Sequence, residues 1–481
     1  MKKDLQFIEQ IVKEKESLIL ETSQRVWEFA ELPYAEYKSA ELLCKVLRDE
    51  GFDVEEGVAE MPTSFVGTFA CGDGKPVMGF LGEFDALDIL SQEAGNPVKA
   101  PIKEGAPGHG CGHNCLGAGA LGAAIALKEY LVAHGKSGTV KYYGCAAEEG
   151  AGAKQFMARD GIFDDADFIY TWHPAYVNSV DNNTSNAIMG ANFEFKGLTS
   201  HAGATPFLGR SALDAAELMS VGCNYLREHT INEARIHYAY VDAGGVAPNV
   251  VQDHTLIKYE VRSPKVGQVK ELFERVVNVA KGAALMTGTE MSYEITMAFS
   301  DYIPNAALAE VASECMEEVG PPQWDDEDYA LAKKFLSTYN ETTMVSIKET
   351  IAKLYGEENV EKILEKPLDS IIHPYDPKSR SQSGGSTDVG DVTYAAPTLN
   401  LRLATACVGN VGHTWQMTAQ AGSRIGQKGT ITAVKAMALS AIRTMERPDV
   451  VERAKEIVKR QSGGKYECPL PDYVKPPVGK Y

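Results

Sequence analysis

The sequence lacks the features that mark several specialised classes of protein. No apolar run is long enough to span a bilayer, and acidic and polar residues follow Met1-Lys2-Lys3-Asp4 where a signal peptide would have its apolar core. Basic residues are outnumbered, with 47 Lys and Arg against 66 Asp and Glu and a net charge of −19, which disfavours binding to nucleic acid. We therefore expect a cytoplasmic protein that binds neither membranes nor nucleic acid.

Cysteine is also sparse, with nine residues scattered between Cys44 and Cys468. An odd number without regular spacing is typical of reduced, buried thiols rather than of a disulfide framework. Cys111 is the exception, because histidines stand on both sides of it. The chain also lacks internal repeats, and its 481 residues are too many for one ordinary core, so the length predicts two domains.

Short apolar runs alternate with helical patterns in the first half of the chain, which favours an α/β sheet. The runs predict strands at 65–69, 77–81, 139–145 and 168–172. From 188 to 298 the pattern changes to alternating strands and an amphipathic helix, which predicts a small α+β sandwich. We expect this sandwich to be inserted in a larger domain made of residues 1–187 and 299–481. Residues 299–380 are acidic and helical and hold no obvious ligand.

Polar side chains follow the predicted strands directly. They are Asp85, Glu148, Glu149 and His173. Because ligands of open α/β sheets bind at the carboxyl ends of the strands, we expect these side chains to meet at one edge.

The strongest local signal is Gly108-His109-Gly110-Cys111-Gly112-His113-Asn114, followed by a helix from about Cys115 to His134. It places a thiol and an imidazole two residues apart in a glycine-rich turn that lets both side chains converge. Thiolate, imidazole and carboxylate together are the ligands of zinc-like ions. The predicted ligands are Cys111, His113, Glu149, His173 and His413.

Adjacent side chains diverge, so the two carboxylates of Glu148-Glu149 have different predicted roles. We assign Glu149 to the metal and Glu148 to the proton of the attacking water. The pattern predicts a metallohydrolase.

One motif is misleading. Gly117-Ala118-Gly119-Ala120-Leu121-Gly122 matches the dinucleotide-binding pattern, but a Cys/His loop precedes it instead of a strand. We interpret these small residues as positions of close packing between a helix and the sheet, and we exclude a nicotinamide site.

Three polar residues of the predicted insertion need a neighbour to act. His201 stands in Ser200-His201-Ala202-Gly203, which is a structural turn unless domain closure or a second subunit brings it to the metal. Asn249 and Arg262 are candidates for holding a substrate carboxylate, which Arg does with a two-pronged fork.

The ordered set of motifs resembles the M20 metallopeptidases, and within them the amidohydrolase branch. The motifs are Gly82–Leu87, Gly108–Asn114, Glu148–Gly150, Trp172–Pro174, Ser200–Gly203, Pro248–Val251, Ser386–Asp391 and Gly412–Gln416. The resemblance implies a zinc-peptidase-like catalytic domain, an inserted lid that also dimerises, and a two-metal site with Zn or Mn. The chain departs from the family pattern at Glu83, where many members have His, and at Cys111, where many have Asp.

The resemblance also implies roles for residues outside the ligand set. Asp85 would orient a ligand, and His201 would cross from a partner subunit to stabilise the oxyanion. Asn249 and Arg262 would hold the substrate carboxylate. The partner would be an identical or a homologous chain.

The implied reaction is hydrolysis of the amide between an acyl or aroyl group and an amino acid. p-Aminobenzoyl-glutamate is the best substrate by resemblance, with N-acyl amino acids and dipeptides as rivals. Two alternatives stay open from the residues themselves. Cys111 could be a nucleophile with a histidine as its base, or the chain could be an inactive partner subunit that the metal only stabilises.

Overall fold

Eleven strands and fourteen α-helices build residues 2–480, the part of the chain that this computed structural model describes. The strands are β1 (Asp53–Glu56), β2 (Phe65–Cys71), β3 (Val77–Glu83), β4 (Gly138–Cys145), β5 (Phe168–Ala175), β6 (Ser179–Val180), β7 (Ala187–Lys196), β8 (Arg235–Asp242), β9 (His254–Ser263), β10 (Glu290–Phe299) and β11 (Thr398–Ala404). The helices are α1 (Lys2–Phe29), α2 (Tyr37–Asp49), α3 (His113–His134), α4 (Lys154–Arg159), α5 (Ala212–Leu226), α6 (Val266–Thr287), α7 (Ala306–Val319), α8 (Asp326–Leu336), α9 (Glu341–Tyr355), α10 (Val360–Glu365), α11 (Val389–Ala395), α12 (Trp415–Ala421), α13 (Arg424–Met445) and α14 (Pro448–Ser462).

The larger sheet has seven strands in the order β1-β2-β4-β3-β5-β11-β6. Its centre is parallel, because β3 pairs in parallel with both β4 and β5, and β5 with β11. Every residue of β3 is buried, as expected for a parallel strand covered on both faces. Helix α3 packs against β3, and α1 and α13 pack against α3. The four predicted strands are present, and the α/β class is confirmed.

The second sheet has four antiparallel strands in the order β10-β7-β9-β8, with α5 and α6 packed on it. Burial along β9 alternates strictly, so one face of this sheet packs on helices and the other does not. Strand β8 forms an edge, and most of its residues are exposed. These elements run from 187 to 299. The domain boundaries at 188 and 298 and the lid role stay predictions.

By length and composition, one described helix, α3, is able to cross a membrane, which corrects the expectation that no apolar run is long enough. Its 18-residue apolar window is 89% buried inside the protein. Helix α3 is therefore the central helix of the core, and its uniform hydrophobicity reflects burial on all sides.

The glycines of α3 allow this central helix to lie against the sheet. A Cβ atom on Gly117 would lie 2.7 Å from the carbonyl oxygen of Glu83, and one on Gly119 would lie 2.6 Å from Trp172 Nε1. These distances are shorter than any normal contact, so only glycine fits. The misleading glycine motif is a packing motif, as the sequence predicts.

We expect Gly119→Ala to lower the free energy of unfolding by about 1–3 kcal/mol, because the added methyl group overlaps the Trp172 indole. Gly282 of α6 offers a matched control, since a Cβ atom there has no atom within 4 Å. Gly282→Ala should gain helix propensity, up to about 1 kcal/mol of stability. Urea denaturation measures both variants, and an equal change in the two would contradict this account.

Candidate metal centre

The five predicted ligands come from separate regions of the chain that meet at the carboxyl edge of the large sheet. Glu149 follows β4, His173 lies on β5, and His413 lies in the loop after β11. Cys111 and His113 enter from the start of α3, which begins at His113, two residues earlier than the sequence predicts. Gly112 has a φ of 82°, a left-handed conformation that suits glycine and turns the chain sharply between the two ligands.

The ligand atoms form two groups that share the Cys111 thiol. Those of Cys111, His113 and His173 lie within 4.8 Å of one another, and so do those of Cys111, Glu149 and His413. Cys111 Sγ is 3.4 Å from His173 Nε2, and His413 Nε2 is 3.3 Å from Glu149 Oε1. Ligands at about 2.0–2.3 Å from one tetrahedral ion are about 3.5 Å apart, so each group has the size of a cation site.

Buried atoms without partners indicate that the residues fit a cation. His113 Nε2 and Glu149 Oε1 are both buried and have no hydrogen-bond partner among the described residues. Such atoms are costly in a folded protein unless an ion or another group satisfies them. The imidazoles of His113 and His173 are also pre-oriented, because their Nδ1 atoms donate to Asp85 Oδ1 at 2.7 Å and to the Pro174 carbonyl at 2.8 Å. Each Nε2 is left to face the centre.

Asp85 links two of the ligand candidates from behind. Its Oδ1 accepts from His113 Nδ1, and its Oδ2 accepts from the Glu149 amide at 2.8 Å. The carboxyl group is fully buried. This geometry suits the orienting role that the resemblance implies.

Glu148 and Glu149 differ in their surroundings and therefore in acidity. Burial, followed by the charges of Glu83 and Glu149, raises the pKa of Glu148 well above its ordinary value. For Glu149, burial is outweighed by the hydrogen bond with His413 and the charge of His113, which lower its pKa to about 2. The neighbouring carboxylates thus have the split acidities expected of one proton acceptor and one permanent anion.

The surroundings of Cys111 disfavour an independent nucleophile. Burial and the charge of Glu149 raise the pKa of the Cys111 thiol well above its ordinary value. A nucleophilic cysteine needs a lowered pKa, whereas a bound metal ion deprotonates a thiol outright. Cys111 is a better metal ligand than nucleophile.

The sequence analysis missed a buried ion network behind the centre. Lys154 Nζ lies 2.7 Å from Glu83 Oε1 and 2.6 Å from Asp388 Oδ1, and all three side chains are buried. Glu83 Oε2 is also 3.3 Å from His113 Nε2, and Glu83, His113 and Glu148 form a third compact ligand group. Glu83 and Asp388 stand in motifs that the sequence analysis quoted, but nothing in the sequence marks Lys154.

His201 and Asn249 lie away from this cluster. The His201 side chain is exposed, and its Nδ1 accepts from the amides of Gly203 and Ala204 at 3.1 and 3.2 Å. The Asn249 carbonyl accepts from the Ala202 amide at 2.9 Å, so the two residues share one pair of loops. In the described part of the chain, neither residue has a hydrogen bond or ion pair with the five predicted ligands.

Arg262 lies at the end of β9 that faces the large domain. Its Nη1 donates to Ser386 Oγ at 3.3 Å, and its Nη2 is 3.5 Å from Glu260 Oε2. Ser386 is two residues before Asp388 of the buried network. The contact joins the second sheet to the segment behind the metal centre.

Thiol, imidazole and carboxylate ligands around cation-sized gaps, with a proton acceptor beside them, define a divalent-metal hydrolase built on an α/β sheet. Comparison with known proteins agrees, because the profile of peptidase family M20/M25/M40 matches residues 79–363. The chain belongs to this family, which confirms the resemblance. It is a hydrolase of amide bonds.

Individual relatives cover nearly the whole chain. It is 37% identical over 480 residues to one of the two named subunits of Escherichia coli p-aminobenzoyl-glutamate hydrolase, and the match covers 99% of each chain. It is 25% identical to a mouse Xaa-Arg dipeptidase over 91% of this chain and 88% of the relative.

Two solved structures share the fold. One is an aminobenzoyl-glutamate utilization protein from Klebsiella pneumoniae, with a TM-score of 0.58, 18% identity and coverage of 91% of this chain and 98% of that one. The other is a dinuclear metal-binding M20 peptidase from Bacillus subtilis, with a TM-score of 0.58, 16% identity and coverage of 90% and 99%.

The last carboxylate of the Ser386–Asp391 motif is buried away from the ligands. Asp391 accepts from Ser300 Oγ at 2.7 Å, the Ser300 amide at 3.1 Å and the Tyr466 hydroxyl at 2.9 Å. Burial raises the pKa of Asp391 from 3.8 to about 7, although these hydrogen bonds lower it. The folded protein therefore holds this proton at pH values where the unfolded chain has lost it.

Because the folded pKa is raised, we expect the stabilising contribution of Asp391 to be complete below about pH 4 and to be lost as the pH rises to about 7. The slope is at most about 1.4 kcal/mol per pH unit. Asp391→Asn should flatten the dependence of the urea midpoint on pH over this range. Asp472→Asn, at an exposed carboxylate, is the control, and an unchanged slope in Asp391→Asn would rule this out.

Proposed function

We propose that this protein cleaves the amide that links an acyl or aroyl group to an amino acid, with p-aminobenzoyl-glutamate as its substrate. The observation that carries the proposal is the sharing of Cys111 by two compact ligand groups, with Glu148 beside them. The substrate is inferred from the relative that is 37% identical over nearly all of both chains. Dipeptides and other N-acyl amino acids are the rival substrates.

The residues would hold two divalent ions. Cys111 would be common to both, His113 and His173 would hold one, and Glu149 and His413 the other. A soft thiolate favours zinc, and manganese is the alternative. When bound, such ions polarise the amide carbonyl and lower the pKa of water.

Glu148 is the proton carrier in this proposal. Burial and neighbouring carboxylates strengthen it as a base, so it takes the proton of the attacking water and later delivers it to the leaving amine. Asp85 keeps His113 and the Glu149 backbone in place during both transfers.

Substrate recognition is assigned to the second sheet. Arg262 and Asn249 would bind the carboxylate of the amino-acid product, against the overall charge of −19. His201 would donate to the oxyanion after arriving from a partner subunit, because its exposed side chain is free to face another chain.

The partner is a second copy of this chain or a homologous chain. The exposed edge strand β8 and the uncovered face of the second sheet support such contacts. Two Escherichia coli relatives are named as different subunits of p-aminobenzoyl-glutamate hydrolase. Besides the match over 480 residues to one of them, this chain is 30% identical to the other over 237 residues. The location that we propose is the cytoplasm.

Glu148→Gln should lower kcat roughly 10²–10⁴-fold while the metal content stays the same, because it removes the proton acceptor alone. Glu149→Gln is the matched control at the adjacent position, and it should lose metal. The assay is hydrolysis of p-aminobenzoyl-glutamate by the metal-loaded protein, beside hippurate-like acyl amino acids and dipeptides, with elemental analysis of each sample.

Other outcomes favour the alternatives. Full turnover in Glu148→Gln would remove Glu148 from the mechanism. Turnover that survives a chelator but stops on thiol alkylation would support Cys111 as the nucleophile. Metal-dependent stability without turnover of any substrate would indicate an inactive partner subunit.

Mixing two inactive variants tests whether His201 acts across a subunit interface. If it does, co-refolded His201→Ala and Glu148→Gln chains form mixed dimers with one intact site, and roughly a quarter of wild-type activity returns for a symmetric dimer. If His201 acts within its own chain, the mixture stays as inactive as its parts. Size-exclusion chromatography of the same samples gives the oligomeric state.

A further inference from the structure

The helical segment of α8, α9 and α10, residues 326–365, packs on the chain that follows β11. The two share a hydrophobic cluster distinct from the main core. Its buried members are Ala332, Phe335, Leu336, Ile347, Ile351, Leu368, Cys407, Val408, Ala419 and Ile425. The segment therefore covers the His413 loop, which we define as residues 405–414, and the two helices after it.

The first half of the His413 loop is tied to its surroundings by backbone contacts. The amides of Thr405, Cys407 and Val408 donate to the Ala175 carbonyl, Gln420 Oε1 and the Pro367 carbonyl, at 2.8, 2.8 and 2.9 Å.

The second half of the loop is tied to Tyr339. This residue lies in the turn between α8 and α9, and its hydroxyl donates to Asn410 Oδ1 at 2.8 Å and accepts from the Val411 amide at 3.2 Å. Burial raises the pKa of the Tyr339 hydroxyl, so it keeps the proton that it donates. One hydroxyl thus joins the helical segment to two consecutive residues just before His413.

His413 depends on such support. Its φ of 56° is unfavourable for a residue with a Cβ atom, and its side chain is 58% exposed, so packing does not hold it. Its amide donates to the Gly110 carbonyl at 2.9 Å, and its Nε2 lies 3.3 Å from Glu149 Oε1. The direction in which Val411 leaves Tyr339 therefore controls where the imidazole stands.

We propose that Tyr339 is a positioning residue, which holds Asn410 and Val411 so that His413 is presented to the metal centre. The acidic helical segment then has a function in the hydrolase although it contributes no ligand. This inference rests on the proposed function, because it takes His413 as a metal ligand.

The test is Tyr339→Phe in the full chain, which keeps the ring and removes the hydroxyl. We expect the affinity of the metal-free protein for Zn²⁺, measured by competition with a chromophoric chelator, to fall about 10-fold or more, as for other partners of metal ligands. The visible spectrum of the Co²⁺-loaded protein should change, kcat should fall with little change in KM, and Tm should stay within about 3 °C.

Tyr355→Phe is the matched control. Tyr355 ends α9 in the same segment, and its buried hydroxyl has no hydrogen-bond partner in the described part of the chain. It should leave Zn²⁺ affinity and the Co²⁺ spectrum unchanged. If both variants weaken Zn²⁺ binding equally, or if Tyr339→Phe binds Zn²⁺ like the wild type, the inference is wrong.

His413→Ala separates this inference from the proposed function. If His413→Ala binds Zn²⁺ as tightly as the wild type, His413 is not a ligand, and both proposals fail at this residue. If His413→Ala loses Zn²⁺ affinity while Tyr339→Phe does not, only the positioning role of Tyr339 is overturned.

Discussion

The metal centre gathers negative charge where water is scarce. Glu83 and Asp85 are buried, and Glu148 and Glu149 are largely so. Carboxylates in such a place repel one another and lose hydration, so they need cations close by. Lys154 is one such cation, the histidines are others, and divalent ions fit the gaps between the ligands. The balance also explains the opposite pKa shifts of Glu148, which faces carboxylates, and Glu149, which faces His413.

The rest of the fold brings these charges to one place and keeps them there. Parallel strands β3, β4, β5 and β11 end at a common edge, which collects residues that are far apart in sequence. The glycines of α3 let that helix approach the sheet closely enough to present Cys111 and His113 at the same edge. Fold and site therefore share the same positions, and a change in packing at α3 also moves ligands.

Two additions to the sheet have separate tasks. The second sheet carries His201, Asn249 and Arg262, all of which need a substrate, a movement or a partner chain before they act. The helical segment 326–365 instead packs on the His413 loop and contacts it through Tyr339. The first addition thus concerns recognition, and the second the geometry of the metal centre.

Local pattern and residue chemistry were enough to predict the α/β class, the strand ends and the candidates Cys111, His113, Glu149, His173 and His413. Three features emerged only from the folded chain: α3 begins at His113, Lys154 joins Glu83 to Asp388, and Tyr339 reaches the His413 loop. The last two contacts join residues far apart in the chain, and an ordinary lysine or tyrosine carries no local mark of its future partner. Burial and pairing become visible only when the strands and helices have come together.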